Sequence, residues 1–267
     1  MIDAVIIVLR ETLEASLLIG FLFVYSNHFL INKTWLIGSL LVGSFLSLIV
    51  VIELPNISDL LDGIGQELLF FSVLLTLSVL IQWSGWQIIL LKIIGRQVDS
   101  NQLKYLYSVI ILLAVSLEGA EIIIYLQSRL SNESQSFPSI LGGLLGLGIG
   151  LSVSALLYYL LSQTSRVGLW FCFVILTLVS AGMASQAYSY LMQADIVDSG
   201  YPIWDSNYLV DERSVLGQLF YALFGYEATP TSNQLFVYLA YVFFPFIVLF
   251  YFRRYKNHSN QVGVFNE

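Results

Sequence analysis

Two pairs of glutamates lie within long apolar stretches of the sequence, where ionisable side chains are costly. The pairs, with the arginine that directly precedes the first, are Glu11 and Glu14, Glu118 and Glu121, and Arg10. A charge at the centre of a membrane-spanning helix costs about 2.5–3.5 kcal/mol on translocon-based scales, so five such groups require a compensating function. A spacing of three residues puts both carboxylates of a pair on one helix face. The sequence therefore predicts two carboxylate pairs that face each other inside a helical bundle.

The residue types predict a site for a hard cation. Carboxylate oxygens suit Mg²⁺, Ca²⁺, Mn²⁺ or Fe³⁺ rather than softer metals. Sulfur or imidazole sites are not expected in the spans, because the chain has one cysteine, Cys172, and both histidines, His28 and His258, lie outside the apolar stretches. With all four glutamates ionised and Arg10 protonated, the cluster has a net charge of −3, which would balance a trivalent ion.

Two alternatives use the same residues without a metal. In the first, Arg10 and Glu14 form a buried ion pair and the other glutamates are protonated and hydrogen-bond helices together. In the second, the four carboxylates form a proton relay. Closely spaced carboxylates share protons, so their charge belongs to the cluster as a whole.

The composition predicts that lipid surrounds these glutamates. Of 267 residues, 57% are hydrophobic and 11% charged, whereas about a quarter are charged in soluble domains. The net charge of −7 argues against nucleic-acid binding, which requires a basic surface. Seven apolar stretches are long enough to span a bilayer: 4–25, 35–52, 68–91, 105–126, 139–161, 169–191 and 235–252.

The basic residues predict an orientation with the amino terminus outside and the carboxyl terminus in the cytoplasm. For seven spans, one set of connections carries eight lysines and arginines and the other carries Arg129 and Arg213. Basic residues are retained on the cytoplasmic side. The eight are Lys33, Lys92, Arg96, Lys104, Arg166, Arg253, Arg254 and Lys256. We expect a multi-pass protein of the plasma (inner) membrane.

The predicted fold class is an all-α integral membrane protein with seven transmembrane helices, arranged as two inverted three-helix repeats plus a seventh helix. Glutamate pairs on the first and fourth spans, which run in opposite directions, suggest the repeats. Small residues at four-residue spacing predict close helix packing; they are Ser39, Gly43, Ser47, Gly142, Gly146 and Gly150. We expect one domain (1–256), an outer loop (193–233) with a short amphipathic segment, and a disordered cytoplasmic tail (257–267).

The segment from Arg10 to Glu14 resembles the Arg-Glu-x-x-Glu signature of the oxidase-dependent iron permease family, which includes fungal high-affinity iron permeases and bacterial relatives. Two further stretches are similar to family segments, Ser180 to Gln186 and Gly217 to Tyr226. In the second copy, Leu117 stands where the signature has arginine. That difference makes the cluster one unit more negative than two full signatures would.

The resemblance implies import of iron, often as Fe³⁺, with Glu11, Glu14, Glu118 and Glu121 as metal ligands and Arg10 as a supporting ion pair. It implies a partner outside the cytoplasm, either a ferroxidase or an iron-delivery protein. The chain itself is expected to be no enzyme and to hold no cofactor, because the iron ion is cargo. There are two alternatives. The chain could transport another hard divalent cation such as Mn²⁺, or it could be a non-transporting membrane anchor for an oxidase.

Several polar residues are candidates for the path that a cation follows to the glutamates. On the outer loop an acidic surface would raise the local cation concentration, and amides within spans could either line the path or form hydrogen bonds between helices. The candidates are Asp3, Asp205, Asp211, Glu212, Gln186 and Gln82. Tyr125, four residues after Glu121, is a candidate hydrogen-bond donor to that carboxylate.

Overall fold

In a computed structural model the chain is built from α-helices. The structure describes residues 1–28, 34–94, 100–130, 133–162, 166–198 and 200–264. The helices in these ranges are α1 (Ile2–His28), α2 (Thr34–Ser58), α3 (Gly65–Ile94), α4 (Ser100–Leu130), α5 (Glu133–Ser162), α6 (Arg166–Gln193), α7 (Val215–Phe224) and α8 (Ser232–Val264). A 3₁₀ turn, Leu60–Gly63, follows α2. Since the described ranges contain no β-strand, the all-α prediction is confirmed.

Six of these helices are long and apolar enough to cross a membrane, namely α2, α3, α4, α5, α6 and α8. Lipid offers no hydrogen bonds to the backbone, so an apolar stretch within it must form a helix. α1 has a similar length, 27 residues, but Arg10, Glu11 and Glu14 interrupt its apolar stretch. The chain is a helical multi-pass membrane protein, and α1 as its seventh span stays a prediction.

Large apolar side chains cover the outward faces of the helices at the periphery of the bundle. A surface of this kind is what contact with lipid tails requires, and a soluble protein rarely exposes so large a patch. Exposed examples on α2, α5 and α8 are Ile37, Leu41, Phe45, Leu144, Leu156, Phe243, Phe244 and Phe250. The buried core instead joins α1, α3, α4 and α6 through residues such as Leu13, Leu77, Ile111 and Leu176.

α1 and α5 pack side by side and run in the same direction. A Cβ atom at Gly142 would lie 2.5 Å from the carbonyl oxygen of Met1, and one at Gly146 would lie 2.5 Å from that of Val5. Further along both helices, the hydroxyls of Ser16 and Ser154 are 2.5 Å apart. The glycines therefore permit a backbone approach that no other residue allows, as their spacing predicted.

α2 and α4 form a second parallel pair, while α3 and α6 run antiparallel. A Cβ atom at Gly43 would lie 3.0 Å from the carbonyl oxygen of Leu112, and one at Gly119 would lie 3.0 Å from Cβ of Ser47. Between α3 and α6, the Ser180 hydroxyl donates a hydrogen bond to Oε1 of Gln82 (2.6 Å). Gln82 thus serves helix–helix contact, one of the two roles expected for it.

The short helix α7 lies against α1 and α6. Its amino end is capped by Ser214, whose side chain accepts a hydrogen bond from the backbone N–H of Gly217 (3.0 Å). Its carboxyl end is capped by Gly225, in the left-handed conformation (φ 64°). A Cβ atom at Gly182 of α6 would lie 2.7 Å from Cα of Gly225, so two glycines let α7 seat directly on α6. The predicted amphipathic segment of the loop is therefore this helix.

α8 continues to Val264, into the stretch 257–267 for which the sequence predicts a disordered tail; that tail stays a prediction. Helix extension adds one hydrogen bond per residue once a helix exists, and no proline follows Pro245. Residues 265–267 lie outside the described residues, as do Lys33 and Arg96, on which the orientation prediction partly depends.

Candidate functional site

Three of the four predicted glutamates meet between α1 and α4. Glu11, Glu118 and Glu121 each offer a carboxylate oxygen, and these three oxygens lie within 4.8 Å of one another. Two oxygens bound to one ion at 2.3–2.6 Å lie at most about 5 Å apart. The three carboxylates therefore have the spacing of ligands to a single hard cation. We call these three residues the glutamate cluster.

Several oxygens of the glutamate cluster have no hydrogen bond. Glu11 and Glu118 are buried, 3% and 2% exposed. Oε2 of Glu11 and both oxygens of Glu118 accept no hydrogen bond from any described residue. A buried carboxylate without donors is strongly destabilised unless a cation or a proton neutralises it. The arrangement suits a cation or a proton that binds from outside the chain.

Glu121 has a fixed orientation within the cluster. The hydroxyl of Tyr190, on α6, donates a hydrogen bond to its Oε1 (2.9 Å). Tyr125, the donor expected from the sequence, instead places its ring against the guanidinium of Arg129, with Cζ 5.6 Å from the ring centroid. The prediction for Tyr125 was wrong. The carboxylate of Glu121 lies between helices, so Tyr190 on the neighbouring helix α6 reaches it.

Glu14, the fourth predicted ligand, is paired with Arg10. It is buried, 4% exposed, and its Oε1 accepts a hydrogen bond from Nε of Arg10 (3.2 Å). The same nitrogen is 3.9 Å from Oε1 of Glu11. Arg10 and Glu14, at positions i and i+4, thus form an ion pair, the contact that the first metal-free alternative also contains, while the remaining three glutamates offer oxygens to one another.

Arg10 also contacts α7. Its Nη2 donates a hydrogen bond to the hydroxyl of Tyr221 (2.6 Å), and its Cζ lies 3.9 Å from the centroid of the Tyr221 ring. The guanidinium therefore has both a hydrogen bond and a cation–π contact with one side chain. Arg10 is held between a carboxylate on its own helix and an aromatic residue on α7.

A cavity of about 310 Å³ leads from the loop around α7 to this arginine. Its walls are mostly polar, and the lining residues used below are Arg10, Glu121, Gln186, Glu212, Gln218 and Glu227. Two of the predicted path residues, Gln186 and Glu212, thus line one cavity that reaches the glutamate cluster at Glu121.

Glu227 is an acidic residue of this cavity that the sequence analysis did not select. Its Oε1 accepts a hydrogen bond from Nε2 of Gln234 (3.0 Å). Burial, together with the nearby charge of Glu212, raises the pKa of Glu227 to about 7. Glu212 is fixed beside it, because its Oε1 accepts a hydrogen bond from the backbone N–H of Ala228.

The other predicted path residues lie outside the cavity. Oδ1 of Asp205 accepts a hydrogen bond from the backbone N–H of Asn207 (2.9 Å), and Oδ1 of Asp211 does so from that of Arg213 (2.9 Å). Both are exposed and stabilise turns of the loop. Oδ2 of Asp3 lies 3.8 Å from Nη2 of Arg129, so Asp3 forms an ion pair with α4.

Sequence reasoning missed Tyr190, Tyr221 and Glu227. Tyr190 and Glu121 are separated by 69 residues, and Tyr221 and Arg10 by 211, so no local spacing links them. The one available signal was that Tyr221 lies between Gly217 and Tyr226, a stretch already noted for its resemblance to a family.

Comparisons with known proteins agree with that resemblance. Residues 72–259 match the model of the iron permease FTR1 family; the match includes Glu118, Glu121 and Tyr221. Over 264 residues the chain is 24% identical to the ferrous iron permease EfeU of Escherichia coli O6:H1, covering 92% of this chain and 93% of that protein. No solved structure matches the chain significantly.

Proposed function

This chain belongs to the iron permease FTR1 family, and on that basis we propose that it imports iron through the glutamate cluster. The ion would pass from the cavity beside α7 to Glu11, Glu118 and Glu121. Iron transport follows from the family, whereas the assignment of these residues as ligands is our proposal. The observation that carries it is that carboxylate oxygens of Glu11, Glu118 and Glu121 lie within 4.8 Å of one another, while no hydroxyl, amide or cationic group of the described residues donates to Oε2 of Glu11 or to Glu118.

The donor set supports a hard cation as cargo. The three carboxylates of the glutamate cluster carry a charge of −3 when ionised, while Arg10 and Glu14 balance each other. That charge balances Fe³⁺, the ion that the sequence suggested; with one proton shared in the cluster it balances Fe²⁺, for which the Escherichia coli relative is named. Uptake measured with ascorbate, and then with an oxidant present, identifies the ion. Mn²⁺, also a hard cation, is the second candidate because every ligand is a carboxylate oxygen.

The helix pairs support the proposed architecture of two inverted repeats. In such an architecture a two-fold axis in the membrane plane relates α1 to α4, α2 to α5 and α3 to α6. The same axis relates the helix pair α1/α5 to the helix pair α4/α2. Both pairs are parallel and held by glycines, and α3 and α6, which would exchange with each other, pack antiparallel. Sites at the interface of such repeats are common in transporters. With α1 as the seventh span, the positive-inside rule puts the cavity on the outer face.

Two roles are proposed for residues beside the cluster. Arg10 would pair with Glu14 and reduce the negative charge around the empty site. Glu212 and Glu227 would attract the ion, because carboxylates in a cavity concentrate counter-ions, and the amide of Gln186 would help to guide it inward. An extracytoplasmic ferroxidase or iron-delivery protein would present iron at this face.

Initial rates of radioactive iron uptake in sealed proteoliposomes test the proposal. We expect Glu11→Gln and Glu118→Gln each to reduce uptake to the background of empty vesicles, because each removes a charge and a ligand. Glu53→Gln, an exposed glutamate at the end of α2, is the matched control and should transport normally. Normal uptake by both cluster variants would refute the proposed site, and accumulation without a partner protein excludes a mere anchor.

A further inference from the structure

Arg10 pairs with Glu14 through Nε, yet its other donors leave nearby carboxylate oxygens without a partner. A guanidinium has five N–H donors, and Oε2 of Glu11 and both oxygens of Glu118 lack a donor. Electrostatic attraction alone would turn the guanidinium toward these oxygens. Instead its Nη2 points to the hydroxyl of Tyr221.

We propose that Tyr221 is a positioning residue that holds the Nη2 end of the Arg10 guanidinium away from the unsatisfied oxygens of Glu11 and Glu118, so that the empty site stays open to a cation. The inference rests on the proposed function, because it assumes that the cluster binds the ion. Tyr221 itself does not contact the ion in this arrangement. It acts through Arg10.

Two contacts with Tyr221 hold the guanidinium in place. The hydrogen bond from Nη2 to the phenol oxygen is 2.6 Å long, and the face of the ring lies 3.9 Å from Cζ. Removing the hydroxyl leaves the ring contact, whereas removing the ring ends both. The two contacts can therefore be separated by substitution.

Tyr221 lies on α7, a helix whose position is fixed by close backbone contacts. A Cβ atom at Gly217 would collide with the backbone carbonyl of Asp211, and one at Gly182 with Gly225. These close approaches clamp both ends of α7, one against the loop and one against α6. Tyr221 lies between these two contacts, so its hydroxyl has a fixed position from which it accepts the hydrogen bond of Arg10.

The consequence is a competition between an internal cation and the transported one. Without Tyr221, Arg10 would turn toward Glu11, already 3.9 Å from Nε, and would have to be displaced before a metal ion could bind. Such a competitor weakens metal affinity and leaves the number of sites unchanged. When Arg10 is absent, there is nothing for Tyr221 to hold back, and its removal should have no effect.

Equilibrium binding of Mn²⁺ to the full-length protein in lipid nanodiscs tests this, followed by the loss of the free Mn²⁺ electron paramagnetic resonance signal. We expect Tyr221→Leu to weaken binding about tenfold, and Tyr221→Phe to weaken it about threefold, from the loss of a cation–π contact and a hydrogen bond. In the Arg10→Gln background, Tyr221→Leu should change the affinity less than twofold. Phe220→Leu, which removes the neighbouring ring on α7, is the matched control and should bind as the unmodified protein does.

Two outcomes overturn the inference. One is an unchanged affinity in Tyr221→Leu; the other is an equal loss with and without Arg10, which would mean that the tyrosine only supports α7. Glu118→Gln separates this inference from the proposed function. If that variant binds Mn²⁺ as tightly as the unmodified protein, the glutamate cluster is not the metal site and both proposals fail. If it loses binding while Tyr221→Leu does not, the inference alone fails.

Discussion

Tyr190 on α6 donates a hydrogen bond to Glu121 on α4, with 2.9 Å between the phenol oxygen and Oε1. The contact links α6 to the glutamate cluster between α1 and α4. It fixes one carboxylate beside Oε2 of Glu11 and both oxygens of Glu118, which accept no hydrogen bond from the described residues. A fixed ligand lowers the ordering cost of binding an ion.

We predict that Tyr190→Phe raises the iron concentration for half-maximal uptake about threefold to tenfold, because it removes a hydrogen bond to a charged group. The ring and its packing against Phe70 (centroids 5.4 Å apart) remain. Uptake rates over a range of iron concentrations measure the effect. Tyr188→Phe, roughly 200° around α6 from Tyr190, is the control. An unchanged concentration dependence in Tyr190→Phe would contradict the role of this hydrogen bond.

Glu14 should behave differently from the glutamates of the cluster. Because Glu14 balances the charge of Arg10, we predict that Glu14→Gln weakens Mn²⁺ binding by releasing Arg10 toward Glu11. The double variant Arg10→Gln/Glu14→Gln, which removes the pair together, should recover the affinity of the unmodified protein to within about threefold, since the three cluster carboxylates are intact. Metal titration of the single and double variants measures this. If the single and the double variant lose the same amount of Mn²⁺ affinity, Glu14 is instead a direct ligand, as the sequence suggested.

The acidic wall of the cavity should affect how often an ion arrives. We predict that at pH 8, above the Glu227 pKa of about 7, Glu227→Gln raises the half-saturating iron concentration about tenfold at low salt and leaves the maximal rate unchanged, because one of two attracting charges is lost. Screening should reduce the difference as salt increases. Glu53→Gln, an equal charge change outside the cavity, is the matched control. A lower maximal rate with unchanged half-saturation would argue for a role later in the path.

Helix packing offers a test that is independent of transport. A Cβ atom at Gly146 would meet the backbone of α1, while one at Gly148 has nothing within 4 Å. We predict that Gly146→Ala destabilises the protein by about 1–3 kcal/mol through overpacking, whereas Gly148→Ala stabilises it by up to about 1 kcal/mol through helix propensity. Thermal unfolding in detergent compares the two. The same melting temperature for both variants would mean that α1 and α5 do not pack in this way.

Much of the fold and part of the site follow from local properties of the sequence. The apolar stretches had to form helices, because lipid leaves a backbone no other way to satisfy its hydrogen bonds. Glycines at four-residue spacing marked the α1–α5 contact because only a residue without Cβ fits there. The spacing of Arg10 and Glu14 was enough to predict their pair, since residues i and i+4 are neighbours on any helix.

Other features depended on how each helix is rotated about its axis and set against its neighbours. Local periodicity shows that Glu11 and Glu14 share a face, but it does not show that Glu11 turns to α4 while Glu14 turns to Arg10. The partners Tyr190 and Tyr221 reach the site from helices far away in the sequence. Their contacts exist because α6 packs on α3 and because glycines seat α7 on α6. Side-chain geometry of this kind is decided by packing in three dimensions, which a one-dimensional spacing rule does not contain.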